Sequence, residues 1–162
     1  MPVPHAHFVL RGLDTGQRRF LFGLDCTPDD RLDWTPEQSE KTALHIAGSI
    51  GGFLGFVAHM ITTGEMPSLE RGPQPPPATR AAAREAVDEG FYALKRAVEA
   101  LEKDDLDRAV TAPWGPATVE EMLWAIMFLV GYFQGQLNYV QLCYGDTNPN
   151  MPPGYGAHAA SG

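Results

Sequence analysis

A run of twelve residues without a charged or amide side chain constrains this chain more than any other feature. It reads MLWAIMFLVGYF, covers residues 122–133 and is followed by Gln134. A helix that is apolar on every side has to be buried on every side. Twelve residues are too few for a membrane span, which needs about 20. We therefore expect this helix to be either the central rod of a helical bundle, or both core and subunit interface.

Composition narrows the class of protein. The 162 residues are enough for one domain with its own core, and 44% of them are hydrophobic. The net charge of -8 repels polyanions, so nucleic acid is not an expected partner. The first residues lack the basic flank and the apolar run of a secretory signal. We expect a cytoplasmic protein that does not associate with a membrane.

Apolar spacing and capping signals predict four long helices and no strand. Thr35 with Gln38, and Thr118 with Glu121, have the spacing of a capping box, in which side chains at a helix start bond to backbone amides. These pairs are predicted to begin helices two and four. The predicted helices cover residues 4–23, 35–63, 79–103 and 118–144.

A proline-rich segment, residues 65–78, links helices two and three. It contains five prolines, and in polyproline II geometry it spans roughly 43 Å, about the length of a 28-residue helix. The linker can therefore return the chain along the bundle, which permits helices two and three to be parallel. The glycine- and proline-rich residues 146–162 are expected to be an irregular or disordered tail, leaving residues 1–145 as the bundle.

Glycine pairs four residues apart predict a close helix contact. Gly51 and Gly55 form one pair in helix two, and Gly131 and Gly135 form another in helix four. Each glycine inside a helix costs about 1 kcal/mol relative to alanine, so a close contact is expected to offset that cost. Two arrangements are open: helix two against helix four within a subunit, or a two-fold homodimer contact.

Several short motifs resemble the DinB/YfiT-like superfamily in their order and spacing. They are Trp34-Thr35-Pro36, His45-Ile46-Ala47, the run from Leu106 to Gly115, and Gly135-Gln136-Leu137. The resemblance implies an all-α four-helix bundle in up-down-down-up order, often dimeric. The proline-rich linker is then the long crossover between helices two and three.

The resemblance also implies a metal site. Active members are similar to enzymes in which one histidine of helix two and two of helix four, four residues apart, hold a divalent metal such as Zn or Ni. A metal held this way lowers the pKa of a bound water or thiol. In this chain His45 matches the helix-two ligand, and Leu129 and Phe133 match the other two positions. Neither can bind a metal, so no metal cofactor is predicted, and these three residues become candidates for lining a pocket.

Two functions follow from these observations. The first is a metal-free homodimer that binds a small apolar ligand or a protein partner. The alternative is a Zn- or Ni-dependent thiol transferase or hydrolase of the DinB/YfiT type. His45 is accordingly open to three interpretations, namely a hydrogen-bonded core histidine, a polar anchor in a pocket, or the remaining metal ligand.

Overall fold

Four long helices form the bulk of the structure. A computed structural model describes residues 4–37, 39, 41–68 and 74–155, with the side chains of residues 4 and 5 left out. The helices are α1 (Pro4–Cys26), α2 (Ala43–Thr63), α3 (Arg80–Glu99) and α4 (Val119–Cys143), and a hairpin of β1 (Ala109–Ala112) and β2 (Gly115–Thr118) precedes α4. The predicted all-α four-helix fold is confirmed, with a small hairpin added.

The start of α4 follows its predicted capping box. The Thr118 hydroxyl accepts a hydrogen bond from the Glu121 backbone N–H, and the Glu121 carboxylate accepts one from the Thr118 N–H at 2.8 Å. Each side chain thus satisfies a backbone donor that has no partner inside the helix. The prediction for the start of helix four is confirmed.

The start of α2 differs from the prediction. The helix begins at Ala43, and the Thr42 hydroxyl caps it by accepting from the His45 backbone N–H at 3.0 Å. The Thr35 hydroxyl instead donates to the Ser39 carbonyl, which closes a turn. The predicted start at Thr35 is wrong because this hydroxyl bonds a loop carbonyl, and Gln38 lies outside the described residues.

Ion pairs between α1 and α3 show that these two helices run antiparallel. Asp25, near the end of α1, pairs with Arg84 in the first turns of α3. Asp14, eleven residues earlier in α1, pairs with Lys95 near the end of α3. The partners therefore advance in opposite directions along the two helices.

Contacts between α1 and α4 show that these helices run parallel. Gly12 faces Met127, and Gly23, further along α1, faces Leu137, further along α4. Because α1 is antiparallel to α3 and parallel to α4, the fourth helix points the same way as the first.

The helices α2 and α3 run parallel and approach each other closely. Gly48 faces Pro77 just before α3, and Gly51 faces Ala86 within it. A Cβ atom on Gly51 would lie 2.7 Å from the Ala86 carbonyl carbon, and one on Gly90 would lie 2.7 Å from the Gly51 Cα. Gly51 thus makes a close contact with α3, and not with helix four or a second copy, the two arrangements that the glycine spacing left open. The order of the four helices is up-down-down-up.

The hairpin β1–β2 closes one end of the bundle. Its strands pair antiparallel, with Ala112 opposite Gly115. The Thr111 backbone N–H donates to the Gly64 carbonyl at 3.1 Å, and the Arg108 guanidinium donates to the Ile61 carbonyl at 2.5 Å. The expectation of no strand is therefore wrong, because pairing between two four-residue strands and contacts with the end of α2 stabilise segments too short to show a pattern of their own.

The helix α2 satisfies the length and composition of a membrane span. It has 21 residues, and an 18-residue window within it has a mean hydropathy of 1.5. In the structure 56% of that window is buried inside the protein. The central helix of a bundle has the same composition, so this single helix is weak evidence for a span.

The described part of the C-terminal tail is irregular and packs back on the bundle. The Asn150 side chain is buried and donates to the Asp146 carboxylate at 2.8 Å. The Arg19 guanidinium of α1 lies 5.2 Å from the centre of the Tyr155 ring. Residues 146–155 therefore form an arm against α1, and residues 156–162 of the predicted tail lie outside the described residues.

Candidate functional site

A cavity of about 430 Å³ lies between α2, α4 and the proline-rich linker. It brings together His45 and Phe133, two of the three residues predicted to line a pocket. The other lining residues are Gly48, Ser49, Gly52, Phe53, Gln74, Pro75 and Pro76. We call this cavity the His45 pocket.

The polar wall of the His45 pocket comes from one face of α2. His45, Ser49 and Gly52 recur at spacings of four and three, which places them on the same side of the helix. The Thr42 cap fixes the backbone of His45 at the first turn. Gly48 lets the linker approach, because a Cβ atom there would lie 2.6 Å from the Pro77 ring. One wall of the His45 pocket therefore consists of small and polar groups of α2, and the linker prolines lie opposite it.

The apolar wall is aromatic. The ring centres of Phe53 from α2 and Phe133 from α4 lie 6.0 Å apart at an angle of 46°, and Tyr132 packs edge-on against Phe133 at 5.7 Å. Leu129, one turn earlier in α4, is half-buried and does not line the pocket. The structure thus brings His45 and Phe133 together, and leaves out the third predicted residue.

The metal-ligating groups of the pocket do not fit a three-ligand metal site. His45 is the one histidine, cysteine or carboxylate among the described residues that line it. Within the described parts of the chain, no group of three or more such side chains lies close enough to hold a metal ion. Phe133 places a hydrocarbon ring in the pocket at a position where the superfamily resemblance implies a ligand.

Comparison with known proteins identifies the family. The sequence profile of the DinB superfamily matches residues 13–128, which is more than half of the chain. The chain belongs to the DinB superfamily. A solved structure of a DinB-like protein from Bacillus subtilis, YjoA, is similar to this superfamily member with a TM-score of 0.71 and 16% sequence identity. The match covers 90% of this chain and 96% of YjoA, and at that identity it supports the fold alone. No curated protein matches the sequence.

One face of α4 in this DinB superfamily member is apolar and exposed. Its aromatic side chains are Trp124, Phe128, Tyr132 and Tyr139, with exposed fractions from 56% to 76%. We call these residues the α4 ridge. The expectation of a central rod is therefore wrong for the single chain: α4 is buried only on its other side, through residues such as Ile126 and Leu137.

The predicted glycine pairs occupy different environments. Gly131 and Gly135 are exposed, and no atom beyond their immediate neighbours lies within 4 Å of a Cβ atom at either position. Gly55 in α2 likewise has open space at its Cβ position. Within the described structure these three residues make no close helix contact, so Gly51 alone of the four lies at one.

A second, larger depression was not predicted. It has a volume of about 830 Å³ and lies between α1 and α4, so we call it the α1–α4 groove. Arg11 and Arg19 from α1 and Gln134 and Asn138 from α4 line it. The sequence offers little signal for it, because the residues from the two helices are more than 100 positions apart and no motif joins them.

Proposed function

We propose that this DinB superfamily member is a cytoplasmic, metal-free homodimer that binds a small apolar ligand in the His45 pocket. The observation that carries the proposal is the presence of Phe133 in the same cavity as His45. The aromatic ring converts a position expected to bind a metal into part of an apolar binding surface. The pocket has the volume for a small ligand, but its described lining supplies only one of the three side chains that would bind a metal ion.

The chemistry of the walls suggests the kind of ligand. The Phe53 and Phe133 rings provide an apolar surface, and Gly52 leaves open space beside it. The His45 imidazole and the Ser49 hydroxyl are the polar groups on the α2 wall. Ligand pockets of this composition bind an apolar body and orient it through a few hydrogen bonds. A small aromatic alcohol or amine matches these features.

Replacement of Gly52 tests the pocket directly. A leucine at position 52 has open space around its Cβ atom, so it is expected to project into the pocket without displacing the core. Gly55→Leu is the matched control, because Gly55 also has open space but does not line the pocket. Calorimetric titration with indole and 4-ethylphenol is expected to show binding by the wild type and by Gly55→Leu, and at least about tenfold weaker binding by Gly52→Leu. Absent binding by the wild type, or equal binding by both variants, refutes the proposal.

The alternative function is a Zn- or Ni-dependent thiol transferase or hydrolase of the DinB type. It is favoured by His45, which matches a family ligand and lines the pocket. It needs two further ligands, and the matching residues are Leu129 and Phe133. Mass-spectrometric metal analysis of untagged protein separates the two functions. A stoichiometric transition metal in the purified protein would overturn the metal-free proposal, and its absence after growth and purification with added Zn and Ni supports it.

The homodimer is proposed from the α4 ridge. Phe128 is 76% exposed, and it lies between Trp124 and Tyr132 along the ridge. Contiguous apolar surface of this kind is uncommon on monomers and marks interaction sites. Packing the ridge against its counterpart in a second copy buries the same residues on both subunits, as a two-fold interface requires.

A charge placed in the ridge tests the dimer. The wild type is expected to have about twice the chain mass of 17.7 kDa by light scattering. Phe128→Glu is expected to be a monomer, because a carboxylate buried in an apolar interface lacks a partner. Tyr92→Glu is the control, since Tyr92 is an exposed aromatic residue on α3, at 67%. A monomeric wild type would contradict the dimer, and a dimeric Phe128→Glu would contradict the ridge as its interface.

A further inference from the structure

We propose that the α1–α4 groove is a second ligand site, specific for a carboxylate that carries a hydroxyl or amino donor next to its carboxyl group and an apolar tail. The groove is separate from the His45 pocket, and the two share no lining residue among those that the structure describes. Its charge, two polar atoms without partners and an apolar wall between its two ends lead to this class of ligand.

The charge of the groove favours an anion. Its lining includes Arg11 and Arg19, and no aspartate or glutamate contributes to it among the described residues. This contrasts with the chain as a whole, which has a net charge of -8. A depression lined by one sign of charge attracts ligands of the opposite sign.

Arg19 supplies a prepared donor. Its guanidinium stacks on the Tyr155 ring at 5.2 Å, and its Nη2 atom donates to the Pro149 carbonyl at 3.5 Å. Its Nη1 atom is buried and has no hydrogen-bond partner among the described residues. A buried donor without a partner is unfavourable, and a carboxylate is an acceptor that a guanidinium binds strongly. The C-terminal arm therefore holds this side chain in place with one donor left for a ligand.

Gln134 supplies a matching acceptor. The residue is only 8% exposed, and its Nε2 atom donates to the Asn138 side-chain oxygen at 2.9 Å. This bond fixes the orientation of the amide, and its Oε1 atom is buried without a partner in the described part of the chain. An acceptor in this position requires an O–H or N–H donor from a ligand. A carboxylate alone does not satisfy it, so the ligand needs a second polar group.

Both polar groups lie at the same end of the groove. Along the parallel helices, Gly16 faces Val130 and Gly23 faces Gln134. Arg19 lies between these two glycines in α1, so it is level with Gln134. The other end contains Phe8 beside Arg11, and Phe8 lies eleven residues before Arg19 in α1. Apolar side chains of α4, among them Met127, form the wall between the two ends. At 1.5 Å per residue the two ends are about 16 Å apart. A carboxyl head with its neighbouring donor thus fits one end, and an acyl chain of medium length extends to the other.

Two probes that differ by a single hydroxyl test the inference. Calorimetric titrations use 2-hydroxydecanoate and decanoate, each below its critical micelle concentration. The wild type is expected to bind the hydroxy acid about tenfold more tightly, because only that acid supplies a donor for Gln134. Gln134→Met is expected to remove this difference between the acids, since methionine has a similar shape without the amide oxygen.

Arginine variants test the anion contact. Arg19→Gln is expected to weaken binding of both acids by at least about tenfold, whereas Arg18→Gln, at an exposed position outside the groove, should bind them as the wild type does. Gly52→Leu should also bind them normally, which separates this site from the His45 pocket. The inference is overturned if the wild type binds neither acid, if it binds both equally, or if Arg19→Gln binds as Arg18→Gln does. The comparison of the two acids on the wild type stands even where a variant fails to fold.

Discussion

Substitutions of two neighbouring glycines in α2 are predicted to change stability in opposite directions. A Cβ atom added at Gly51 would lie 2.7 Å from the Ala86 carbonyl carbon and closer still to its oxygen. A Cβ atom added at Gly52 meets no atom of the described residues within 4 Å, and Gly52 is exposed. The two alanine variants therefore share the same helix and the same chemical change, and differ only in the neighbouring atoms.

The magnitudes follow from helix propensity and packing. Alanine is favoured over glycine inside a helix by about 1 kcal/mol, so Gly52→Ala should raise the free energy of unfolding by up to that amount. At Gly51 the backbone of α3 has to move by at least about 0.7 Å to restore an ordinary contact of 3.4 Å. Overpacking of this kind costs about 1–3 kcal/mol, and the cost at Gly51 should be near the upper end because the added Cβ atom meets backbone atoms. The gain of about 1 kcal/mol from helix propensity offsets part of this cost. Gly51→Ala should therefore lower the free energy of unfolding by about 2 kcal/mol.

Urea denaturation followed by circular dichroism, at one protein concentration for all variants, measures both changes. In thermal denaturation followed by the same signal, the melting temperature of Gly51→Ala should fall by roughly 4–8 °C, and that of Gly52→Ala should rise. The reasoning fails if Gly51→Ala is as stable as Gly52→Ala, because the backbone contact between α2 and α3 would then impose no cost.

Two further predictions concern the metal position and the C-terminal arm. The double substitution Leu129→His with Phe133→His should bind Zn no more tightly than the Phe133→His single variant, because Leu129 does not line the His45 pocket, and tighter Zn binding by the double variant in calorimetry would contradict that placement. Hydrogen bonds from Asn150 and from a backbone amide lower the pKa of the Asp146 carboxyl, so its stabilisation of the arm should be complete above the ordinary aspartate pKa and disappear as the pH falls through the lowered value. The Asn150 side-chain amide signals in an NMR titration should report this loss, and signals unchanged through the acid range would contradict it.

The parts of the fold that were predicted correctly depend on residues close together in sequence. The Thr118–Glu121 capping box joins residues three positions apart, and it begins α4 as predicted. In each of the four predicted helices the apolar residues recur with the period of a helix. The order of the short motifs from Trp34 to Gly135 indicated the DinB superfamily. Local hydrogen bonds and hydrophobic periodicity are properties of the chain itself, so a sequence is enough to read them.

The candidate site was only partly predictable. His45 and Phe133 line one cavity, but Leu129 does not, since the lining depends on how α4 is turned towards α2. Gly51 has a helix-packing signal in the sequence, but the partner helix is α3. The sequence identifies which side chains can take part in a contact, and the packing of distant segments decides which of them meet.

The sequence by itself determined the number of helices, the capping box of α4 and the long linker. It also determined the apolar character of the residues that form the α4 ridge. The tertiary structure decided where α2 starts, because Thr35 and Thr42 are both capable of capping and only Thr42 accepts from the helix. It also decided the contact between α2 and α3 and the meeting of Arg19 with Gln134 in one groove. Local signals act within a few residues of the chain, whereas these contacts join segments far apart in sequence and form only when the helices pack together.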